Sequence, residues 1–126
     1  MINIEDFQKV ELKVGKILSV EKVEDSDKLL KLSVDFGMVK KTKTNEDGTE
    51  EITEERDVRQ IISGIALYFQ DYNEILNKKV MFVTNLKPRK IRGLESNGMI
   101  LALSSEGGEF SLLYPNQNIT EGLSAK

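Results

Sequence analysis

Lys87, Arg89, Lys90 and Arg92 fall within one six-residue stretch, with Pro88 between the first two. Four permanent cations so spaced suit one kind of chemistry, holding a polyanion, because each contact with a phosphate releases a condensed counterion. Pro88 restricts the backbone around them, which lowers the entropy lost when such a loop meets a ligand. From Lys78 to Gly93 the chain carries six bases and no acid. A stripe of this kind is an electrostatic footprint, although a basic loop that is merely solvated has the same composition. The 126 residues contain no histidine and no cysteine. Imidazole catalysis, a thiolate nucleophile, disulfides and most zinc sites are therefore excluded. Carboxylates and lysines would have to carry any reaction alone, and they form no recognisable constellation. Ser63-Gly64 lacks the second glycine and the histidine partner of a nucleophile elbow. No catalytic residue, metal or cofactor is expected.

The formal net charge of −3 conceals a segregation. Between Asn45 and Asp57 there are seven acids and one base, leaving 17 bases against 14 acids elsewhere. No apolar run is long enough to cross a bilayer, and MINIEDFQKV lacks the basic-then-apolar layout of a secretory signal, so a cytoplasmic protein is expected.

The elements that must position the cations follow from periodicity. Asn3 can cap a short helical turn carrying Ile4 and Phe7. Val10 to Val14 alternates and continues through Ile17, Leu18 and Val20 as a first strand, with Gly15 marking a bulge or bend. Leu30, Leu32, Val34 and Phe36 share one face of a second strand, ended by Gly37. Residues 38–57 form an acidic hairpin or mobile loop around Asn45-Glu46-Asp47-Gly48. Val58–Ile65 is a third strand, Ala66–Asn77 a short amphipathic helix, and Val80–Asn85 a fourth strand. Leu86–Asn97 is a basic loop. Gly98–Leu103 reads as a fifth strand buried on both faces, and Phe110–Tyr114 as a sixth short one. The fold class expected is all-β: a five-stranded OB-fold barrel with one short helix between strands 3 and 4, plus terminal extensions, although other small barrels share this order. One domain, residues 1–126, accommodates it.

Several runs resemble a known family. These are Asp6-Phe7 with Lys9-Val10, Val14-Gly15, Asp27 to Leu32, Arg59 to Ile65, and above all Asn85-Leu86-Lys87-Pro88-Arg89-Lys90-Ile91-Arg92-Gly93-Leu94-Glu95-Ser96-Asn97-Gly98-Met99. The chain is similar to the tRNA-binding domain found at the C-terminus of many methionyl-tRNA synthetases (the beta subunit), in free-standing dimeric tRNA-binding proteins and in EMAP-II-like factors. The likeness covers nearly everything except residues 38–57, where the insertion is longer than the family's usual link. It implies a barrel that binds the outer corner of tRNA by shape and charge, without a chemical step. It also implies a homodimer built from the chain ends, with residues 104–126 as a C-terminal extension at the dimer contact.

The expected tRNA-binding residues are Lys28, Lys31, Asn85, Lys87, Arg89, Lys90, Arg92, Ser96 and Met99. Lys28 and Lys31 either extend the basic stripe or solvate a strand edge. Asn85 and Ser96 either meet a base, a 2′-OH or a phosphate, or stabilise a turn. Met99 taken by itself reads as core, whereas the resemblance puts Ser96 and Met99 at the RNA-facing end of the motif. Tyr68, Phe69 and Tyr72 would serve as stacking platforms if exposed, but their helical spacing assigns them to the core. The function expected is non-catalytic, structure-selective tRNA binding as a homodimer, alone or with a methionyl-tRNA synthetase catalytic domain. The alternative is a CsaA-like export chaperone or peptide-binding module.

Overall fold

Alternation along the second strand sets the architecture. Leu30, Leu32, Val34 and Phe36 turn inward, each at most 1% exposed, and meet Ile17, Ile61, Ile75, Val80 and Phe82 in one apolar core. The computed structural model describes residues 1–126. A one-turn helix, α1 (Ile4–Phe7), precedes β1 (Leu12–Lys22), β2 (Leu30–Thr44), β3 (Glu50–Ser63) and β4 (Lys79–Val83). Short strands follow: β5 (Arg89–Ile91), β6 (Leu94–Ser96), β7 (Met99–Ile100), β8 (Ala102–Ser104) and β9 (Phe110–Leu112). Five strands form an antiparallel sheet in the order β3-β2-β1-β4-β7, while β5-β6 and β8-β9 pair as separate hairpins. The sheet curls into a half-barrel whose edges approach, and the Asn97 amide, two residues before β7, donates to the Gln60 carbonyl of β3 at 2.9 Å. The result is the expected all-β, OB-like architecture.

Of the bulge or bend expected at Gly15, there is no bulge, since it pairs with Val80 in unbroken register. A Cβ there would lie 2.5 Å from Val34 Cγ1 and 2.7 Å from Phe36 Cε1, so the missing side chain is space filled by its neighbours. That space lets Phe36 and Phe82 meet edge to face at 5.2 Å. The register slips instead between Ile17 and Ser19, and again in β2 between Asp35 and Met38, where Gly37 has φ 85°.

Of the two readings of residues 38–57, the hairpin holds. Pairing runs unbroken from Met38↔Arg56 to Thr44↔Glu50, and the Asn45 amide closes the turn on the Thr49 carbonyl at 2.8 Å. Strand β3 thus begins eight residues before the expected Val58. Cross-strand partners place Lys40 opposite Glu54 and Lys43 opposite Glu51, and Lys41 reaches Glu55 at 3.2 Å. Three acids of β3 thus face lysines of β2, one of them in an ion pair, while Glu50 stands opposite Thr44.

Two expectations are corrected. Residues 66–77 are not one helix but two 3-10 turns, Ala66–Tyr68 and Tyr72–Ile75. Phe69 between them is extended, and the Asp71 carboxylate accepts from the Asn73 amide at 2.9 Å, capping a new turn where a helix would have continued. Phe69 and Tyr72 still pack on the core, but Tyr68 is 51% exposed and stacks on Phe110 at 4.1 Å. The expected fifth strand is broken at Leu101: its amide still donates to the in-register Met81 carbonyl at 3.0 Å, but the Met81 amide donates to the Leu113 carbonyl at 3.2 Å instead of returning the bond. Only Ile100 of that stretch is buried; Leu103 lies on the outer face of β8, 63% exposed.

The last residues run beside β1 where β2 leaves its edge. Gly122 and Leu123 exchange hydrogen bonds with Val14 at 2.8 and 3.0 Å, and the Ala125 amide donates to the Leu12 carbonyl at 2.9 Å. Gly122, at φ 97°, faces the Phe36 carbonyl with no room for a Cβ. Glu121 lies 3.5 Å from both Arg56 and Lys79, and Arg56 also holds the buried Asp35 at 2.8 Å.

Candidate nucleic-acid interface

The expected basic loop is a small β-hairpin. Arg92 and Gly93 both have positive φ, 53° and 78°, the two-residue turn geometry that matches strand twist. Ile91 and Leu94 face inward onto Val23, Leu29 and Ile62. Lys90 points to the face opposite Ile91, Arg92 sits in the turn, and Lys87 and Arg89 lie at the rim of the cleft beside Ile91; all four are exposed. None of them takes part in an ion pair, although Glu95 stands opposite Lys90 across the hairpin. Arg92 Nη1 reaches the Asp25 carbonyl at 3.4 Å, linking the hairpin to the β1–β2 turn. The cations remain available to an anion, and the acidic ribbon makes no hydrogen bond or ion pair with them.

The other expected residues divide. Lys28 is exposed at the start of β2, and its carbonyl accepts from the Ala66 amide at 3.0 Å. Lys31 is partly covered and paired with Glu21 at 3.2 Å, so part of its charge is already answered. Asn85 Oδ1 accepts from the Glu11 amide at 2.8 Å and its Nδ2 donates to the Lys9 carbonyl at 2.7 Å. That amide latches the N-terminal segment to the end of β4. Ser96 is buried, 5% exposed. Its hydroxyl accepts from the Ile62 amide at 2.9 Å and donates to the Gly98 carbonyl at 3.1 Å, the turn-stabilising member of the two roles open to it. Met99, read by itself as core, is 44% exposed and lines a cleft of about 60 Å³ with Leu86, Lys87, Arg89 and Ile91.

Sequence reasoning passed over Arg59 and Glu11. Arg59 fork-pairs with Asp57 at 3.0 and 2.9 Å, and its Nη1 donates to the Thr84 carbonyl at 2.6 Å and the Asn97 carbonyl at 3.3 Å. Glu11 accepts the Thr84 hydroxyl at 2.6 Å, which with Lys13 nearby holds its carboxyl below the ordinary value despite partial burial. Asp57 and Lys13 are near in sequence, but the Thr84 and Asn97 partners are 25 to 73 positions away and leave no local signal. No cluster of three or more His, Cys, Asp or Glu is placed to hold a metal ion.

Residues 48–124 match the family described as "Putative tRNA binding domain". The chain belongs to that family. It is 47% identical over 121 residues to the methionine–tRNA ligase of Methanospirillum hungatei, covering 96% of this chain and 15% of the ligase. The chain therefore spans about one sixth of the length of such ligases. Among solved structures it is similar to a MetRS-related protein from Pyrococcus horikoshii, at TM-score 0.79 and 30% identity, covering 100% of this chain and 98% of that one. It shares its fold with the chaperone CsaA of Bacillus anthracis, at TM-score 0.74 and 23% identity, covering 100% and 99% of the two chains.

Proposed function

We propose that this protein binds structured tRNA without catalysing a reaction, gripping phosphates through the β5–β6 hairpin, with Lys28 and Lys31 at the margin. The observation that carries the reading is the set of four exposed, unpaired cations on a hairpin whose apolar side is packed down. Phosphate contacts position a ligand without reading its bases, so discrimination rests on the shape of the RNA. Asn85 and Ser96 support this surface by holding its ends, and Met99 with Leu86 supplies an apolar floor beside Lys87 and Arg89.

The protein acts as a cytoplasmic homodimer that raises tRNA capture by a methionyl-tRNA synthetase, in the same chain or a separate one. An apolar groove of about 280 Å³, lined by Val14, Met81, Leu113, Tyr114, Ile119 and Leu123, favours a second copy at the C-terminal extension. Two hairpins in one dimer raise the effective affinity through multivalency. The peptide-binding alternative has only the shared fold in its favour.

Fluorescence anisotropy with tRNA and with duplex DNA across a salt series tests the reading. Preference for tRNA is expected, with affinity falling as salt rises. Lys87→Ala and Arg89→Ala should each reduce the salt slope by about one. Equal affinity for both nucleic acids, or no slope, overturns the proposal. Light scattering should give a dimer mass that Leu123→Asp reduces to a monomer.

A further inference from the structure

The cations of the hairpin sit between two stems, Thr84 at the end of β4 and Asn97 at the entry to β7. One guanidinium touches both. Arg59 Nη1 donates to the Thr84 carbonyl at 2.6 Å and to the Asn97 carbonyl at 3.3 Å, spanning the base of the segment that carries Lys87, Arg89, Lys90 and Arg92. Its other edge is locked: Nε and Nη2 lie on the two oxygens of Asp57 at 3.0 and 2.9 Å, and the guanidinium carbon stands 5.3 Å from the centroid of Phe36. Neighbours on β3 grip the same return strand, since Gln60 Nε2 donates to the Glu95 carbonyl at 2.9 Å and the Ile62 amide to Ser96.

From this geometry we infer that Arg59 is a positioning residue for tRNA binding: it holds the two stems of the cationic hairpin at a fixed separation and does not itself meet phosphate. The inference rests on the tRNA reading above. Four of the five guanidinium N–H donors are used inside the protein, and the charge is answered by Asp57 in a two-point pair. Arg59 therefore has little positive charge left for RNA. Its planar fork reaches a carboxylate on one side and two carbonyls on the other, which a lysine ammonium cannot do with the same geometry. A hairpin held at its base loses less freedom when RNA binds, so the clamp acts through preorganisation.

The experiment compares wild type, Arg59→Lys and Asp57→Asn for tRNA affinity across a salt series, and for amide hydrogen exchange of residues 86–96 in the free protein. The clamp requires Arg59→Lys to weaken tRNA binding by about tenfold with the salt slope unchanged, and to speed exchange in 86–96. A further variant, Arg59→Gln, removes the charge together with the fork: a salt slope reduced by about one there means that Arg59 meets phosphate and overturns the inference, as does unchanged affinity in Arg59→Lys. Asp57→Asn separates the two ideas independently and tests the clamp if Arg59→Lys does not fold. Removing an acid from a phosphate-binding surface strengthens binding, whereas loosening the clamp weakens it. Weaker binding supports the positioning role, and tighter binding overturns it. If wild type fails to bind tRNA, the functional reading falls, and the exchange data still decide whether Arg59 orders the hairpin.

Discussion

The Ser96 hydroxyl lies 2.9 Å from the Ile62 amide nitrogen, and this contact closes the seam between β3 and the strand leaving the cationic hairpin. Both residues are buried, so no water replaces the bond at once if it is lost.

Ser96→Ala should therefore cost about 1–3 kcal/mol of stability, because a buried backbone N–H is left without a partner. Chemical denaturation checks this. Ser96→Thr keeps an oxygen in place and should recover part of the loss. A large fall in tRNA affinity with unchanged stability would instead make Ser96 a direct RNA contact.

Arg92 sits in the left-handed region at φ 53°, where a side chain costs about 1–2 kcal/mol relative to glycine. Arg92→Gly should raise stability by about 1 kcal/mol through relief of that strain, less the added freedom of the unfolded chain. The same change should weaken tRNA binding and lower its salt slope by about one. Opposite signs in denaturation and in anisotropy are the expected signature.

Residues 38–57 carry seven acids against four bases, and the tip of this ribbon lies far along the strand from the seam. Glu50 is ten residues up β3 from Gln60, about 33 Å along an extended strand, against a screening length of about 8 Å at physiological salt. Replacing residues 41–53 by an Asn-Gly turn should leave the melting temperature and tRNA affinity at physiological salt nearly unchanged. A tenfold gain in affinity would show that the ribbon shields the hairpin.

Glu121 has its carboxyl held below the ordinary glutamate value of 4.5, first by its own backbone amide and further by Lys79 and Arg56, with burial opposing. A carboxylate depressed in the folded state stabilises above its unfolded value, and that contribution is lost as pH falls through the folded value. Thermal melts should show stability falling as the pH drops below about 4.5. Glu121→Gln should melt lower at neutral pH and lose less on acidification. Glu11, depressed by the Thr84 hydroxyl, keeps part of the acid sensitivity in that variant.

Much of this was legible in the residues. The inward face of β2 follows from simple alternation, and so does the outward side of Lys90 once Ile91 is turned inward, whereas Arg89 lies on the Ile91 side and is exposed at the rim of the cleft. The helix expected over 66–77 failed because apolar spacing at three and four residues says nothing of Asp71, whose carboxylate restarts the chain as a second turn. An apolar run such as 98–103 has no mark that separates one strand from two, and the break at Leu101 turns Leu103 outward. The roles of Ser96, Asn85 and Arg59 were out of reach for another reason. Each depends on a carbonyl or amide at least 25 positions away, and backbone groups carry no signature in side-chain types.

The missing side chain at Gly15 has a consequence far from where it lies. Val34 and Phe36 fill the space it leaves, and the Phe36 ring also lies under the Arg59 guanidinium that ties Thr84 to Asn97. A single methyl group added in the middle of β1 would push that ring toward the rim, so interior crowding there would be heard as a change in how the protein grips its ligand.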